Sequence, residues 1–205
     1  MKDADKQYPQ AKQDEVIYNI FQKEGGFFVE IGAHDGQNLS NTLWLERQHF
    51  WSGLLIEANP DLCQKLDKLK RHAWRLCACL SSTKRSVIFI KGEVDTLGGI
   101  ENVEGAEMAV LESLRDGLES NRFTVDVWSI EYRVWDGKHV VYEKSIDNLR
   151  SLRQYFNDIG GYSEYSQLSN DQNVSDGYAL DVVFVRNKSY CEMYDSLPDG
   201  TKCSG

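Results

Sequence analysis

Hydrophobic residues recur along the first half of the chain in alternating helical and strand patterns. Val16, Ile17, Ile20 and Phe21 are spaced for one face of a helix, so we expect a helix over 13–23 that ends at the following glycine pair. The next run, 27–31, is almost continuously apolar, which is typical of a strand buried on both faces. The same alternation continues with predicted helices over 39–48 and 61–69 and predicted strands over 54–56 and 74–80. This βαβαβ order predicts an α/β fold with a doubly wound, mostly parallel sheet and helices on both faces.

The second half of the chain has a less regular pattern. It predicts helices over 106–118 and 145–159 and strands over 86–90, 125–132, 162–167 and 180–186. We expect the segments 162–167 and 180–185 to pair and to close one side of the sheet. No repeat or linker interrupts the pattern, so we expect a polar arm over 1–12, one domain over 13–190 and a C-terminal tail over 191–205.

The composition excludes several classes of protein. The chain has 205 residues, a length typical of one globular domain, and its 11% aromatic content excludes a disordered chain. Its net charge of −9 argues against nucleic acid or an anionic membrane as the main partner. No apolar run reaches membrane-spanning length, and residues 1–12 hold no apolar signal core. The expected location by default is therefore that of a soluble, cytoplasmic protein.

The five cysteines do not show metal-ligand spacing, and we expect no metal site. Cys77 and Cys79 lie in an apolar run and are interpreted as buried thiols. Cys191 and Cys203 lie in the tail, where they could pair if the compartment is oxidising. Asn-X-Ser sequences at three positions are interpreted as accidental because no leader precedes them. These asparagines are Asn38, Asn173 and Asn187.

The turn over 32–36, between the first predicted strand and the helix that follows it, holds the main candidate site. A strand containing Glu30 leads into Gly32 and Gly36, and a helix follows. Glycine lets a backbone approach a ligand closely, and the helix start offers free N–H groups. Glu57 ends the second strand, where such folds place an acid on a ribose diol. The pattern therefore predicts a nucleotide or nucleoside site.

The spacing of the turn helps to choose between ligands. A dinucleotide site favours G-x-G-x-x-G, but His34 and Gln37 occupy the second and third glycine positions. S-adenosylmethionine carries an amino-acid group, and Glu30 suits its ammonium. The pattern favours this methyl donor over a dinucleotide, and a doubly wound sheet with an empty cleft is the structural alternative.

Several motifs in this order resemble the FkbM-type methyltransferases, in particular the animal branch that includes the Star protein of insects. The matching segments are GFFVEIGA at 26–33, DG at 35–36, LSNTL at 39–43, LE at 45–46, WSGLLIEANP at 51–60, ACLS at 78–81, VEGAE at 103–107 and VDVWSIEY at 125–132. The resemblance implies a Rossmann-like domain, S-adenosylmethionine as cofactor and O-methylation of a hydroxyl or carboxyl on a small molecule or glycan.

The resemblance also implies roles for individual residues. The methionine end of the donor would contact Glu30, Gly32, Ala33, Asp35 and Gly36. Its ribose would contact Glu57 and Asn59, and its adenine would lie by Leu80 and Ser81, which follow Cys79. Ser40 and Asn41 would face the same cleft, although both are also good helix-start residues. The catalytic candidates are Glu104, Glu107 and Glu131, with Asp35 and His34 as further possible bases.

Two departures from the family affect the catalytic half. Asn102 stands where the family usually has an aspartate, and an amide cannot act as a base. Only the segment 93–101 separates the strand over 86–90 from Asn102, whereas a parallel strand needs a crossover of a dozen or more residues. The fourth strand of the family is therefore expected to be missing. Either 95–100 fills its place poorly, or 125–132 pairs directly with 27–31. The alternative to an enzyme is a non-catalytic binding or trafficking scaffold that retains donor binding.

Overall fold

A computed structural model describes residues 9–80, 89–90, 99–100, 106–136, 138–171 and 179–203. The chain divides into two compact units, one within 1–103 and the other within 104–205. The first unit contains α1 (Gln13–Phe21), β1 (Phe27–Ile31), α2 (Leu43–His49), β2 (Ser52–Glu57), α3 (Pro60–Lys68), β3 (Ala73–Cys77), β4 (Phe89–Ile90) and β5 (Gly99–Ile100). The second contains α4 (Ala106–Glu119), β6 (Val127–Glu131), α5 (Tyr142–Ile159), β7 (Tyr162–Ser169), β8 (Leu180–Arg186) and α6 (Asn187–Cys191).

The first unit is built on a parallel sheet in the order β1-β2-β3. Val29 pairs with Leu54, and Leu54 pairs with Trp74, so the three strands run in step. The helices α2 and α3 connect them, which confirms the predicted βαβαβ unit. The same strand order occurs in the first half of doubly wound sheets. A complete doubly wound sheet is not seen, because the described strands belong to three separate sheets.

The two faces of β1 differ in exposure, so the prediction of a strand buried on both faces is wrong. Phe28 and Glu30 are buried, whereas Phe27, Val29 and Ile31 are 59%, 54% and 51% exposed. Strand periodicity places alternate residues on opposite faces, and only one face is covered. On the covered face Phe28 packs with Leu55, Leu66 and Ala33. The residues of the exposed face, Phe27, Val29 and Ile31, are as apolar as those of a covered face, so the sequence could not distinguish the two.

The helix α2 begins at Leu43, four residues later than predicted. Leu39 has a φ of +61°, which no helix interior accepts. The hydroxyl of Ser40 accepts hydrogen bonds from the N–H groups of Thr42 and Leu43, at 3.4 and 3.2 Å. The segment 37–42 is therefore a loop. The N-cap residue is Thr42, whose own side chain makes no capping hydrogen bond, and the hydroxyl of Ser40 instead accepts the N–H of Leu43, the first residue of the helix.

The second unit has an antiparallel sheet in the order β6-β8-β7. The pairing of β7 with β8 confirms the predicted strand pair, but among the described strands this pair belongs to a separate sheet and does not close the parallel sheet as expected. The whole of β8 up to Val185 is buried, and α5 packs on it through Leu149, Leu152 and Phe156. This core explains the continuous apolar run of β8, since a central strand is covered on both faces.

Among the described residues neither arrangement predicted for the fourth strand is observed; of the segment 95–100, residues 95–98 lie outside the described residues. Gly99–Ile100 forms a short antiparallel pair with Phe89–Ile90. Among the described strands β1 pairs with β2 alone, and β6 pairs with β8. Glycine weakens a central strand, as expected, and the observed pairing extends over only two residues of each strand. Asn102 lies outside the described residues.

Two disulfides join four of the cysteines. Cys63 of α3 is bonded to Cys77 at the end of β3, with 5.9 Å between their Cα atoms. The interpretation of Cys77 as a buried thiol is therefore wrong; Cys79 alone is a free, half-buried thiol. Cys191 is bonded to Cys203, so the pairing that the sequence left open is present. The partner of Cys77 could not be predicted, because it depends on how α3 packs beside β3.

Candidate functional site

The turn after β1 is held against the end of β2 by its own backbone. The N–H groups of Gly32 and Ala33 both donate to the carbonyl of Ile56, at 2.9 and 3.0 Å. Three residues of the turn have positive φ: +75° at Gly32, +52° at His34 and +80° at Gly36. Such a conformation costs roughly 1–2 kcal/mol for a residue with a side chain, so a histidine there must be held by other contacts.

Glu57 supplies one of those contacts. Its Oε2 accepts the backbone N–H of His34 at 2.7 Å, and its Oε1 accepts the N–H of Asn59 at 2.7 Å. Asn59 in turn caps α3, because its side chain accepts the N–H of Asp61. The carboxylate is buried but each oxygen retains one lone-pair direction. Glu57 therefore joins two turns at the carboxyl ends of adjacent parallel strands, where ligands bind in open α/β sheets.

Glu30 has a different environment. Its carboxylate accepts hydrogen bonds from the hydroxyls of Ser40 and Thr42 and from the N–H of Asn41, at 3.0, 2.5 and 2.8 Å. Burial raises the pKa of Glu30, while the hydrogen bond from Thr42 and the charge of Arg71 lower it. Since both oxygens already serve the chain, Glu30 organises the loop 40–42. A ligand ammonium would have to share these oxygens.

Arg71 is the residue that sequence reasoning missed. It lies between α3 and β3, and its Nε donates to Glu46 at 2.7 Å. Its two terminal nitrogens reach the carbonyl of Gly36 and the hydroxyls of Ser40 and Thr42. One buried guanidinium thus binds the turn, the loop and α2 together. A lone arginine after a helix carries no signal for such a role, because its partners are 25 to 35 residues away.

The two glycines of the turn have different surroundings. A Cβ added to Gly32 would have no neighbouring heavy atom within 4 Å. A Cβ at Gly36 would lie 2.3 Å from Leu66, so this glycine is required for packing against α3. The predicted close approach of a ligand therefore suits Gly32, which adjoins open space. Gly36 instead stabilises the turn, because it packs closely against Leu66 and its carbonyl accepts a hydrogen bond from Arg71.

His34 carries unused hydrogen-bonding groups at this turn. Both ring nitrogens are buried, and neither makes a hydrogen bond. Its Nδ1 lies 3.5 Å from Oδ1 of Asp35. Among the described residues Nε2 is therefore the ring nitrogen of His34 without a polar partner, and because buried polar atoms are ordinarily paired, it is suited to a polar ligand.

Asp35 and Asn41 both make hydrogen bonds to other groups of the chain in the described structure. Asp35 accepts the N–H groups of Gln37 and Asn38, at 2.9 and 2.8 Å. Burial would raise the pKa of Asp35, but these hydrogen bonds outweigh it and lower the pKa below its ordinary value. Asn41 contributes its backbone N–H to Glu30. Leu80 follows β3 and is half-buried, whereas Ser81 and Glu104 lie outside the described residues.

Two of the catalytic candidates in the second unit, Glu107 and Glu131, have raised pKa values, and the side chain of Glu131 is 39% exposed. Burial raises the pKa of Glu131 to about 7; Arg133 opposes this shift, and Asp181 and Glu107 reinforce it. Oε1 of Glu131 lies 3.0 Å from Nε of Arg133. Burial also raises the pKa of Glu107. A carboxyl that titrates near 7 is suited to general acid–base chemistry. The described residues contain no group of three or more His, Cys, Asp or Glu side chains able to hold a metal ion.

Comparisons with known proteins leave the family unassigned. No protein-family model matches the chain, and no curated protein matches it. The resemblance to FkbM-type methyltransferases therefore stays a prediction. None of the helices in the described residues is long and apolar enough to cross a membrane.

A search of solved structures finds methyltransferases at low similarity. A methyltransferase from Pyrococcus furiosus is 12% identical, with a TM-score of 0.44 over 84% of this chain and 80% of that one. TYW2 of M. jannaschii, solved with AdoMet, is 18% identical, with a TM-score of 0.44 over 89% and 80%. A precorrin-6y C5,15-methyltransferase from Geobacter metallireducens is 13% identical, with a TM-score of 0.47 over 88% and 100%. These values are too low to support an argument about this chain.

Proposed function

We propose that the turn 32–36 and Glu57 bind S-adenosylmethionine, and that the protein is a methyltransferase acting on a hydroxyl or carboxyl of a small molecule or glycan. The observation that carries the proposal is that the turn containing Gly32, which adjoins open space, is hydrogen-bonded through the N–H of His34 to Glu57 at the end of the neighbouring strand. Glycine permits a ligand to lie against the backbone, and the carboxylate can accept two hydroxyl protons. The resemblance to FkbM-type enzymes supports the same ligand.

The described residues fit the two ends of such a ligand. At the ribose end, Glu57 has free lone pairs, and Asn59 is held beside it by the hydrogen bond to Oε1. At the amino-acid end, the imidazole of His34, two residues after Gly32, offers Nε2, which makes no hydrogen bond in the described structure. When bound, S-adenosylmethionine supplies an electrophilic methyl group. The chain contributes binding and orientation, which provide most of the rate in a displacement of this kind.

Glu131 is the proposed proton acceptor for the methyl acceptor's hydroxyl. A base is most effective when its pKa lies near the working pH, and the pKa of Glu131 is raised to about 7. Arg133, at 3.0 Å, keeps the carboxylate form accessible. Glu107 supports the elevated pKa by repulsion. Glu104, which lies outside the described residues, is a catalytic candidate through the resemblance alone. A carboxyl acceptor would need no base, because it is already ionised at neutral pH.

A specific observation favours a second candidate, a scaffold that binds the donor without methyl transfer. Among the described strands β1 is the edge of its sheet, where the family places a fourth strand. This departure concerns the acceptor half and leaves the turn and Glu57 intact. We therefore expect measurable donor binding and weak methyl transfer, and we expect Asn102→Asp alone not to raise the transfer rate.

Calorimetric titration with S-adenosylhomocysteine tests the binding proposal directly. We expect saturable 1:1 binding by the unmodified chain and none by Gly32→Val. Gly25→Val is the matched control, because Gly25 has a φ of +69° and equally open surroundings outside the turn. Absence of binding by the unmodified chain would refute the proposal. Transfer of a labelled methyl group to acceptors in a cell extract then separates an enzyme from a binding scaffold.

A further inference from the structure

Asn38 lies on an exposed loop beside the candidate site. It begins the sequence Asn38-Leu39-Ser40, which has the pattern of an N-glycosylation acceptor. Both Asn38 and Leu39 are exposed, and the φ of +61° at Leu39 keeps this segment out of the helix that follows. Exposed loops are where such acceptors occur in secreted proteins. From the sequence this acceptor pattern is interpreted as accidental, because the expected location by default is cytoplasmic.

The disulfides give a reason to revise that interpretation. Cys63–Cys77 and Cys191–Cys203 have Cα separations of 5.9 and 5.6 Å, within the range that a disulfide requires. Disulfides persist in oxidising compartments and are rare in the cytosol, where glutathione keeps thiols reduced. Cys77 is exposed, so its disulfide would be open to exchange with such thiols. Two closed disulfides therefore indicate a chain that matures in an oxidising compartment.

We propose that Asn38 carries an N-linked glycan, added in the oxidising secretory compartment where the two disulfides form. The donor is an oligosaccharide linked to a lipid pyrophosphate. The new bond joins Nδ2 of Asn38 to the anomeric carbon of the first sugar; the lipid pyrophosphate leaves, and Nδ2 loses one proton. This proposal replaces the default expectation of a cytoplasmic protein.

The folded loop accommodates the modification. Nδ2 of Asn38 donates to Oδ2 of Asp35 at 2.6 Å, and a glycosylated amide keeps one N–H for this bond. The hydroxyl of Ser40, which the acceptor sequence requires, is buried and donates to Glu30 at 3.0 Å. An enzyme could not reach this hydroxyl in the folded chain. Transfer must therefore precede folding, as it does for chains entering the secretory pathway.

Asn187 provides an internal control. It begins the acceptor-like sequence Asn187-Lys188-Ser189, but it is the first residue of α6, and its Oδ1 is buried. A glycan on this half-buried side chain would disturb the helix start, so we expect Asn187 to be unmodified. Asn173 lies outside the described residues, and the proposal concerns Asn38 alone.

The first test uses the full-length protein isolated from its own cells. Thiols are alkylated before any reduction, and glycans are then released enzymatically in heavy-oxygen water, which converts a glycosylated asparagine into a labelled aspartate. We expect the label at position 38, none at 187, and alkylation at Cys79 but not at Cys63 or Cys77. An unlabelled Asn38, or alkylated Cys63 and Cys77, would overturn the proposal.

A second test uses variants of the full-length protein that are expressed in the cell type from which the protein comes. Asn38→Gln should remove the electrophoretic shift caused by one glycan, whereas Asn187→Gln should keep it. Ser40→Thr should also keep it, because threonine preserves the acceptor pattern. If Asn38→Gln shows the same electrophoretic shift as the unmodified chain, Asn38 carries no glycan and the proposal is contradicted, even if another site is glycosylated. Donor binding plays no part in either readout, so the result is independent of the proposed methyltransferase function.

Discussion

The backbone N–H of His34 donates a 2.7 Å hydrogen bond to Oε2 of Glu57, which ties the turn after β1 to the end of β2. The bond holds a histidine at a φ of +52°, a conformation that side chains seldom adopt. The same carboxylate holds Asn59 through its other oxygen. Glu57 thus anchors the turn and also offers lone pairs to a ligand. Its substitution should therefore remove a direct ligand contact and, separately, loosen the turn.

We predict that Glu57→Ala weakens the binding of S-adenosylhomocysteine by roughly 2–4 kcal/mol, which is about 30- to 1000-fold in Kd. An analogue without ribose hydroxyls separates direct contact from turn anchoring. If Glu57 binds the ribose, the unmodified chain should lose affinity for the analogue and Glu57→Ala should not, since the interaction is already absent. Equal losses in both proteins would show that Glu57 acts only on the turn.

Gly32→Val should abolish donor binding at a moderate cost in stability. Its side chain would enter open space without clashing, so the stability loss should be the roughly 1–2 kcal/mol of a side chain at positive φ. Gly25→Val, at a φ of +69° and in equally open surroundings, should lose similar stability and keep its affinity. Calorimetric titration and urea unfolding give the two values. Donor binding by a folded Gly32→Val would exclude this turn from the site.

Glu131 should make both stability and activity depend on pH. Its folded pKa of about 7 lies above the ordinary 4.5, so the folded state holds its proton more tightly than the unfolded state. Its contribution to stability is therefore complete below 4.5 and is lost as the pH rises through about 7. Glu131→Gln should flatten this part of the stability curve. Glu164→Gln is the control, because Arg153 lowers the pKa of Glu164.

Any methyl transfer to a hydroxyl should show the opposite trend. The rate should rise as Glu131 ionises with a midpoint of about 7, because only the carboxylate can accept a proton. Glu131→Gln should lose this rise and most of the rate. A rate profile that is the same in both proteins would exclude Glu131 as the base.

Removing the Cys63–Cys77 disulfide should destabilise the first unit. The bond closes a loop with a sequence separation of 14, for which the chain-entropy estimate is about 3 kcal/mol. The double substitution of Cys63 and Cys77 by Ser should lower the free energy of unfolding by about that amount. Cys79→Ser should leave it almost unchanged, since this thiol is free. Reductant should reproduce the loss in the unmodified chain and have no further effect on this bond in the double variant.

Local sequence patterns determined the elements of this protein and the position of its candidate turn. Hydrophobic spacing predicted α1, β1 to β3 and the β7–β8 pair, because periodicity reflects which side of an element is buried. The glycines and the acids at 30 and 57 could be placed at strand ends because a turn must follow each buried strand. These features depend on residues close together in the chain.

Only the tertiary structure decided how these elements use their polar and sulfur groups. Glu30 was predicted to meet a ligand, but its oxygens accept hydrogen bonds from Ser40, Asn41 and Thr42. Arg71 reaches Gly36 from 35 residues away, and Cys77 finds its partner in the packing of α3 beside β3. The exposed face of β1 has the same apolar pattern as a covered one. Each outcome depends on which side chains meet across long separations, and spacing along a sequence does not contain that information.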